Sequence, residues 1–143
     1  MRDRPTAFLD TNVIVSYLRN KGSAARIFDP KLRSRVRYAI NPIVMQELFL
    51  VGDSAVQQKI VGLIEQNDVY ILDVPSDYTE HILERARSLR NRLAHTNDFL
   101  ILASASDCDF LITQDKVFNE LIDAGRPIVM SPEQFVAEFL EAP

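Results

Sequence analysis

Four acidic residues stand where a chain of alternating strands and helices would gather its reactive groups. Asp10 closes the run Phe8-Leu9-Asp10-Thr11-Asn12, and Asp115 follows Leu111-Ile112-Thr113-Gln114. Each comes just after a short apolar stretch that reads as a strand. Glu47 shares a helical repeat with Ile43, Val44, Leu48 and Val51, and Asp98 lies one turn before Ile101 and Leu102, so both acids fall on faces the pattern turns inward. In an open parallel sheet, sites form beyond the carboxyl ends of the strands, where the strand order reverses. If the four carboxylates converge there, each pair about 5 Å apart repels by roughly 3 kcal/mol at an effective dielectric near 20. Only Lys116 among the lysines is close to any of them in sequence. A divalent cation is the better counter-charge, because magnesium or manganese prefers carboxylate and water oxygens. Zinc would call for histidine or cysteine, and His81, His95 and the single Cys108 form no such set. An ion held this way orients a water, lowers its pKa and stabilises in-line displacement at a phosphodiester, with no side-chain nucleophile. Taken singly, Asp10 and Asp98 also read as helix caps, Asp115 as a turn residue and Glu47 as a surface acid. The joint occurrence favours the cluster.

The elements that must position these acids can be read in order. Thr6 to Leu9 is a strand, Asp10-Thr11-Asn12 a helix cap, and Val13 to Leu18 the helix. A short helix is expected around Ala24 to Phe28, with a loop near Pro30, and a brief strand at Tyr38 to Ile40. Asn41-Pro42 opens a helix that Gly52 closes. Ser54 starts another, with Val56, Ile60, Leu63 and Ile64 on one face, and Val69 to Val74 reads as the third strand. Pro75-Ser76-Asp77 begins the longest helix, marked by Tyr78, Ile82, Ala86, Leu89 and Leu93. Thr96-Asn97 caps a helix through Ala105, Asp109 to Thr113 is a strand, a helical turn or two follows around Val117 to Ile122, and Ile128 to Met130 is the last strand. Ser131-Pro132-Glu133-Gln134 is a capping box before Phe135, Val136, Phe139 and Leu140. Strands separated by helices predict an α/β fold in three layers, a five-stranded, mainly parallel sheet covered on both faces.

Four segments, Ala7 to Val13, Pro42 to Leu48, Asn97 to Ala105 and Leu111 to Phe118, resemble in order and spacing the signature segments of PIN-domain ribonucleases, and most of all the VapC-type toxins of bacterial toxin-antitoxin pairs. The resemblance covers essentially the whole chain and implies a PIN-like fold over a single domain, residues 1–143. It implies a magnesium- or manganese-dependent endoribonuclease with Asp10, Glu47, Asp98 and Asp115 as the acidic centre. Asp10, Asp98 and Asp115 would hold the metal, directly or through water, and Glu47 would complete the shell or position the attacking water. Thr11 or Asn12, and Thr113, match the supporting polar positions. Gln114 replaces the basic residue common between that threonine and aspartate. The resemblance further implies a homodimer and a small antitoxin whose tail covers the acidic groove. A second reading with the same acids is a weakly active PIN-fold protein that acts mainly as a bound, operon-regulating partner.

Other classes fit less well. Asp73, Thr113 and Lys116 suggest a receiver-type phosphoacceptor pocket, but such pockets use paired acids after the first strand and leave Glu47 and Asp98 unexplained. Asn12 excludes a phosphatase that begins Asp-x-Asp. The net charge of -4, from 20 acids and 16 bases, hides an uneven distribution. Seven bases against one acid fall between Arg19 and Arg37, and Arg33, Arg35 and Arg37 are the candidates for RNA contact. A single cysteine allows no internal disulfide and fits a reducing compartment. No apolar run approaches a membrane span, so no membrane partner and a cytoplasmic location are expected.

Overall fold

In the computed structural model, residues 3–51, 54–75, 84, 96–122 and 126–142 are described. Five strands form one sheet in the order β3-β2-β1-β4-β5, with every neighbouring pair parallel. They are β1 (Thr6–Leu9), β2 (Arg37–Ile40), β3 (Tyr70–Ile71), β4 (Phe110–Ile112) and β5 (Ile128–Met130). β1 is central. Ala7 is in register with Tyr38 of β2 on one side and with Phe110 of β4 on the other. Parallel strands buried on both faces should be apolar at every position rather than alternately, and Ala7, Phe8 and Leu9 are fully buried.

The helices are α1 (Thr11–Leu18), α2 (Pro30–Arg35), α3 (Pro42–Val51), α4 (Ser54–Gln66), α5 (Thr96–Ala105), α6 (Val117–Leu121) and α7 (Pro132–Val136), the last running on as a π-helical turn over Ala137–Glu141. A 3-10 turn over Gly22–Arg26 stands where an α-helix from Ala24 to Phe28 is expected. The loop expected near Pro30 is the start of α2. Asp29 caps it by accepting from the Lys31 amide at 2.9 Å, and Pro30 takes the first helical position, where its missing N–H has no cost. The third strand is two residues long rather than six, because Tyr70 and Ile71 sit at the sheet edge with both side chains about half exposed. The helix expected from Pro75 onward, and the Gly52 stop, lie outside the described residues. The capping box at Ser131 is present in full.

The core fills the space on both sides of β1, with Ile14, Leu32, Tyr38, Ile101, Phe118 and Phe135 among its largest members. Phe28, Tyr38, Phe135, Phe110 and Phe139 meet edge-on or tilted along one side, the geometry favoured by ring quadrupoles. Cys108 is buried in this core, where desolvation pushes its thiol up to about 12.

Candidate active site at the carboxyl edge of the sheet

β1 and β4 end side by side, and the residues after them make the site. Asp10 is the N-cap of α1; its Oδ1 accepts from the Thr11 amide at 2.7 Å. Its Oδ2 accepts from the Thr113 hydroxyl at 2.7 Å and from Asn12 Nδ2 at 3.1 Å. The residue is only 6% exposed. A carboxylate so placed is both anchored and deprived of water. Burial is the largest influence and raises its pKa; the hydrogen bonds from Thr113 and Thr11 lower it; the charges of Glu47 and Asp98 raise it again, to about 6. Glu47 and Asp98 thus lie within electrostatic reach of Asp10.

Two helices bring those acids in. Glu47, on α3, is half-buried beside the buried Val44 and Leu48, and accepts from the Thr11 hydroxyl at 2.7 Å. Asp98 lies in the first turn of α5. The two helices are tied together by Asn41, which is fully buried just before α3. Its Oδ1 accepts from the Val44 amide at 3.0 Å, while its Nδ2 donates to the Leu100 carbonyl at 3.1 Å and the Ser104 hydroxyl at 3.0 Å. The sequence marks Asn41 as a cap and no more; its second role depends on a helix that comes 55 residues after Asn41.

Asp115 is the acid placed differently. It is exposed, and its carboxylate accepts at 3.0 Å from the amide of Val117, the first residue of α6. It joins the others through its backbone, since its amide donates to Thr113 Oγ1 at 2.9 Å and that hydroxyl donates to Asp10. Thr113 is therefore the hinge of the arrangement, and both Thr11 and Asn12 take part in it. Asn12 Oδ1 also accepts from the Gln114 amide at 3.1 Å. A pair that sequence reading passed over, Ser16 and Gln114, exchanges hydrogen bonds at 3.1–3.3 Å. Ser16 follows Asn12 by one helical turn, which places both on the side of α1 facing the end of β4.

Arg33, Arg35 and Arg37 do not share this edge. Arg37 begins β2 opposite Thr6, so it lies at the amino end of the sheet, about 13 Å from Asp10 at ~3.3 Å per residue. Arg35 donates to the Phe139 carbonyl and Arg33 to the Gln66 carbonyl at 3.1 Å.

With this geometry the comparison with known proteins is decisive for the family. The model of the PIN domain matches residues 7–123, which take in β1 from Ala7 onward, all four acids and α6. The chain belongs to the PIN-domain family. None of the curated proteins matches its sequence. Among solved structures, this PIN domain is similar to one chain of VapBC2 from Rickettsia felis, bound to a DNA fragment from its promoter, with 19% identity and a TM-score of 0.72 over 88% of this chain and 98% of that one. It is similar to a chain of a toxin-antitoxin complex from Klebsiella pneumoniae, at 22% identity and TM-score 0.63, covering 88% and 97%. It is also similar to a chain of VapBC-1 from Haemophilus influenzae, at 20% identity and TM-score 0.64, covering 90% and 98%. At these identities the likeness is one of fold.

The donor chemistry of the PIN site suits a hard cation. Every side chain in it that could bind a metal would do so through oxygen, and Asp10, whose pKa is raised chiefly by burial, also feels the negative charges of Glu47 and Asp98. Among the described residues, no three His, Cys, Asp or Glu side chains stand close enough to be direct ligands of one ion. A hydrated ion needs fewer, since magnesium usually keeps several waters and takes one or two carboxylates.

Proposed function

We propose that this PIN domain, taken as one unit over residues 1–143, is a magnesium- or manganese-dependent endoribonuclease and the toxin of a toxin-antitoxin pair. The observation that carries the reading is the buried Asp10 carboxylate, fixed by three hydrogen bonds and facing the charges of Glu47 and Asp98. Asp10 and Asp98 would hold the ion, with Asp115 reaching it through water from its exposed position. The ion, when bound, supplies Lewis-acid chemistry and a water of lowered pKa. Glu47, held by the Thr11 hydroxyl, would complete the shell or position the attacking water. Thr113 and Asn12 fix Oδ2 of Asp10, and the Thr11 amide fixes Oδ1.

Support for a partner comes from the neighbouring folds, solved as toxin-antitoxin complexes. We read this chain as bound by a small antitoxin and paired as a homodimer in the cytoplasm; no helix among the described residues is long and apolar enough to cross a membrane. The DNA in one of those complexes favours a second reading, in which the bound protein acts mainly as part of a repressor.

The test is cleavage of total RNA and of a transfer RNA by purified protein with magnesium, with manganese and with EDTA, beside Asp10→Asn. Cuts at defined positions that need metal and fall by at least 100-fold in the variant are the expected outcome. Cleavage by Asp10→Asn at the wild-type rate sinks the assignment, and no cleavage by folded, partner-free protein favours the repressor reading.

A further inference from the structure

At the amino edge of the sheet, opposite the acids, a cleft of about 420 Å³ opens between α2, the end of α4 and β3. Arg4, Arg33 and Arg37 line it together with Tyr70, Glu65 and Asp68. Its size is that of a small-ligand pocket. The guanidiniums here are incompletely used. The Nε atoms of Arg33 and Arg37 are both buried and both without a hydrogen-bond partner. Buried donors are nearly always paired, and two orphans in one cleft point to an acceptor that is supplied from outside. Arg37 is the freer of the two: its contacts are Asp3, 3.6 Å away and 92% exposed, and the ring of Tyr70, whose centroid lies 6.0 Å from the guanidinium carbon. No nitrogen of its side chain is hydrogen-bonded among the described residues, so its planar fork can turn to present Nε and one Nη to a single oxyanion.

We propose that this cleft is a second, non-catalytic site that binds a nucleotide by its phosphate. The arginines match a phosphate, which takes two parallel N–H donors from one guanidinium. Tyr70 is 47% exposed beside Arg37 and offers a face on which a base can stack. Glu65 and Asp68, which would repel a bare anion, fit the amide and amino donors on a base edge. A mixed lining of this kind suits a nucleotide better than inorganic phosphate or a wholly acidic peptide. The nucleotide can be free or one residue of an RNA chain, and the site stands apart from the cleavage centre in either case.

The test is titration of the full-length protein in EDTA, followed by amide chemical shifts, with inorganic phosphate, guanosine, guanosine 5′-monophosphate, a ten-nucleotide RNA and an acidic peptide. The monophosphate should shift the amides of Arg33, Arg37 and Tyr70 and bind at least tenfold more tightly than guanosine or phosphate. Arg37→Gln should weaken it tenfold or more, and Tyr70→Ala several-fold. RNA that shifts the same amides and binds at least tenfold more tightly than the mononucleotide identifies a chain; equal affinity identifies a free nucleotide. Absence of shifts at these amides, preference for the acidic peptide, or unchanged binding by folded Arg37→Gln overturns the proposal. If Arg37→Gln does not fold, the wild-type shift map decides alone. Because EDTA removes the metal-dependent reaction, failure here leaves the nuclease reading untouched, and the converse holds.

Discussion

A carboxylic acid that ionises near pH 6 instead of 4 strains the fold at neutral pH unless a cation offsets it. For Asp10 the sign follows from proton binding. Between about pH 4 and 6 the folded chain keeps a proton that the unfolded chain has lost, so metal-free stability falls as pH rises through that window. A shift from 3.8 to about 6 corresponds to at most ~3 kcal/mol. Thermal unfolding in EDTA should therefore show the wild type losing stability from pH 4 to pH 7. Asp10→Asn should be the more stable protein at pH 7.5, by roughly 5 °C, with the difference closing toward pH 4. The amide cannot accept at both Oδ positions, so part of the gain is lost either at the Thr11 amide or at Thr113 and Asn12 together. A wild-type curve that is flat from pH 4 to pH 7 would contradict the buried, charge-crowded carboxylate. Asp10, Glu47 and Asp98 were legible in the sequence because their spacing against apolar neighbours is itself the signal. The local role of Asp115 was less so, since a turn acid that accepts from the first amide of the next helix and one that points into a groove look the same when written as letters.

Among the elements, α3 and α5 matter most, because they carry Glu47 and Asp98 and are joined at Asn41. Removing that side chain takes away a helix cap, worth about 1 kcal/mol, and leaves a buried amide and a buried carbonyl with one partner fewer. Urea unfolding of Asn41→Ala should show a loss of about 2–4 kcal/mol, against about 1 kcal/mol for Ser131→Ala at the surface capping box. Equal losses would mean that Asn41 is a cap and nothing else. Caps and prolines also explain where the reading of elements succeeded and failed. Asn41-Pro42 and Ser131-Pro132 announced their helices, whereas Pro30 was read as a break although Asp29 before it is the same signal. The length of β3 cannot be read, because the apolar run Tyr70, Ile71 and Leu72 is as consistent with a short exposed edge as with a full strand. Strand direction does hold one unused clue: residues that begin a parallel strand lie at the edge away from the acids, which places Arg37 at the amino edge of the sheet.

For the molecule as a whole, the strand order puts β1 in the centre, hydrogen-bonded on both sides, and leaves β3 at an open edge. Amide exchange should follow that order, with Phe8 and Leu9 exchanging only on global unfolding and Tyr70 and Ile71 by local opening many times faster. Similar protection in β1 and β3 would contradict the topology. The reversal of strand order at β1, with β2 on one side and the parallel β4 on the other, is also what creates the site, since it sets the end of one strand beside the end of another that is far off in the chain.

The Thr113 hydroxyl that anchors Asp10 arrives 103 residues after it. A ribosome adding ~5–20 residues per second needs roughly 5–20 s to cover that interval. During that time the nascent chain carries its first acid without the hydroxyl that anchors it or the β4 strand beside it. The proposed site is thus completed only once β4 and Thr113 have been added, and a message cut short before the codon for Thr113 yields a product without it. For an enzyme proposed to attack RNA, that strand order delays assembly of the site until most of the chain has been made.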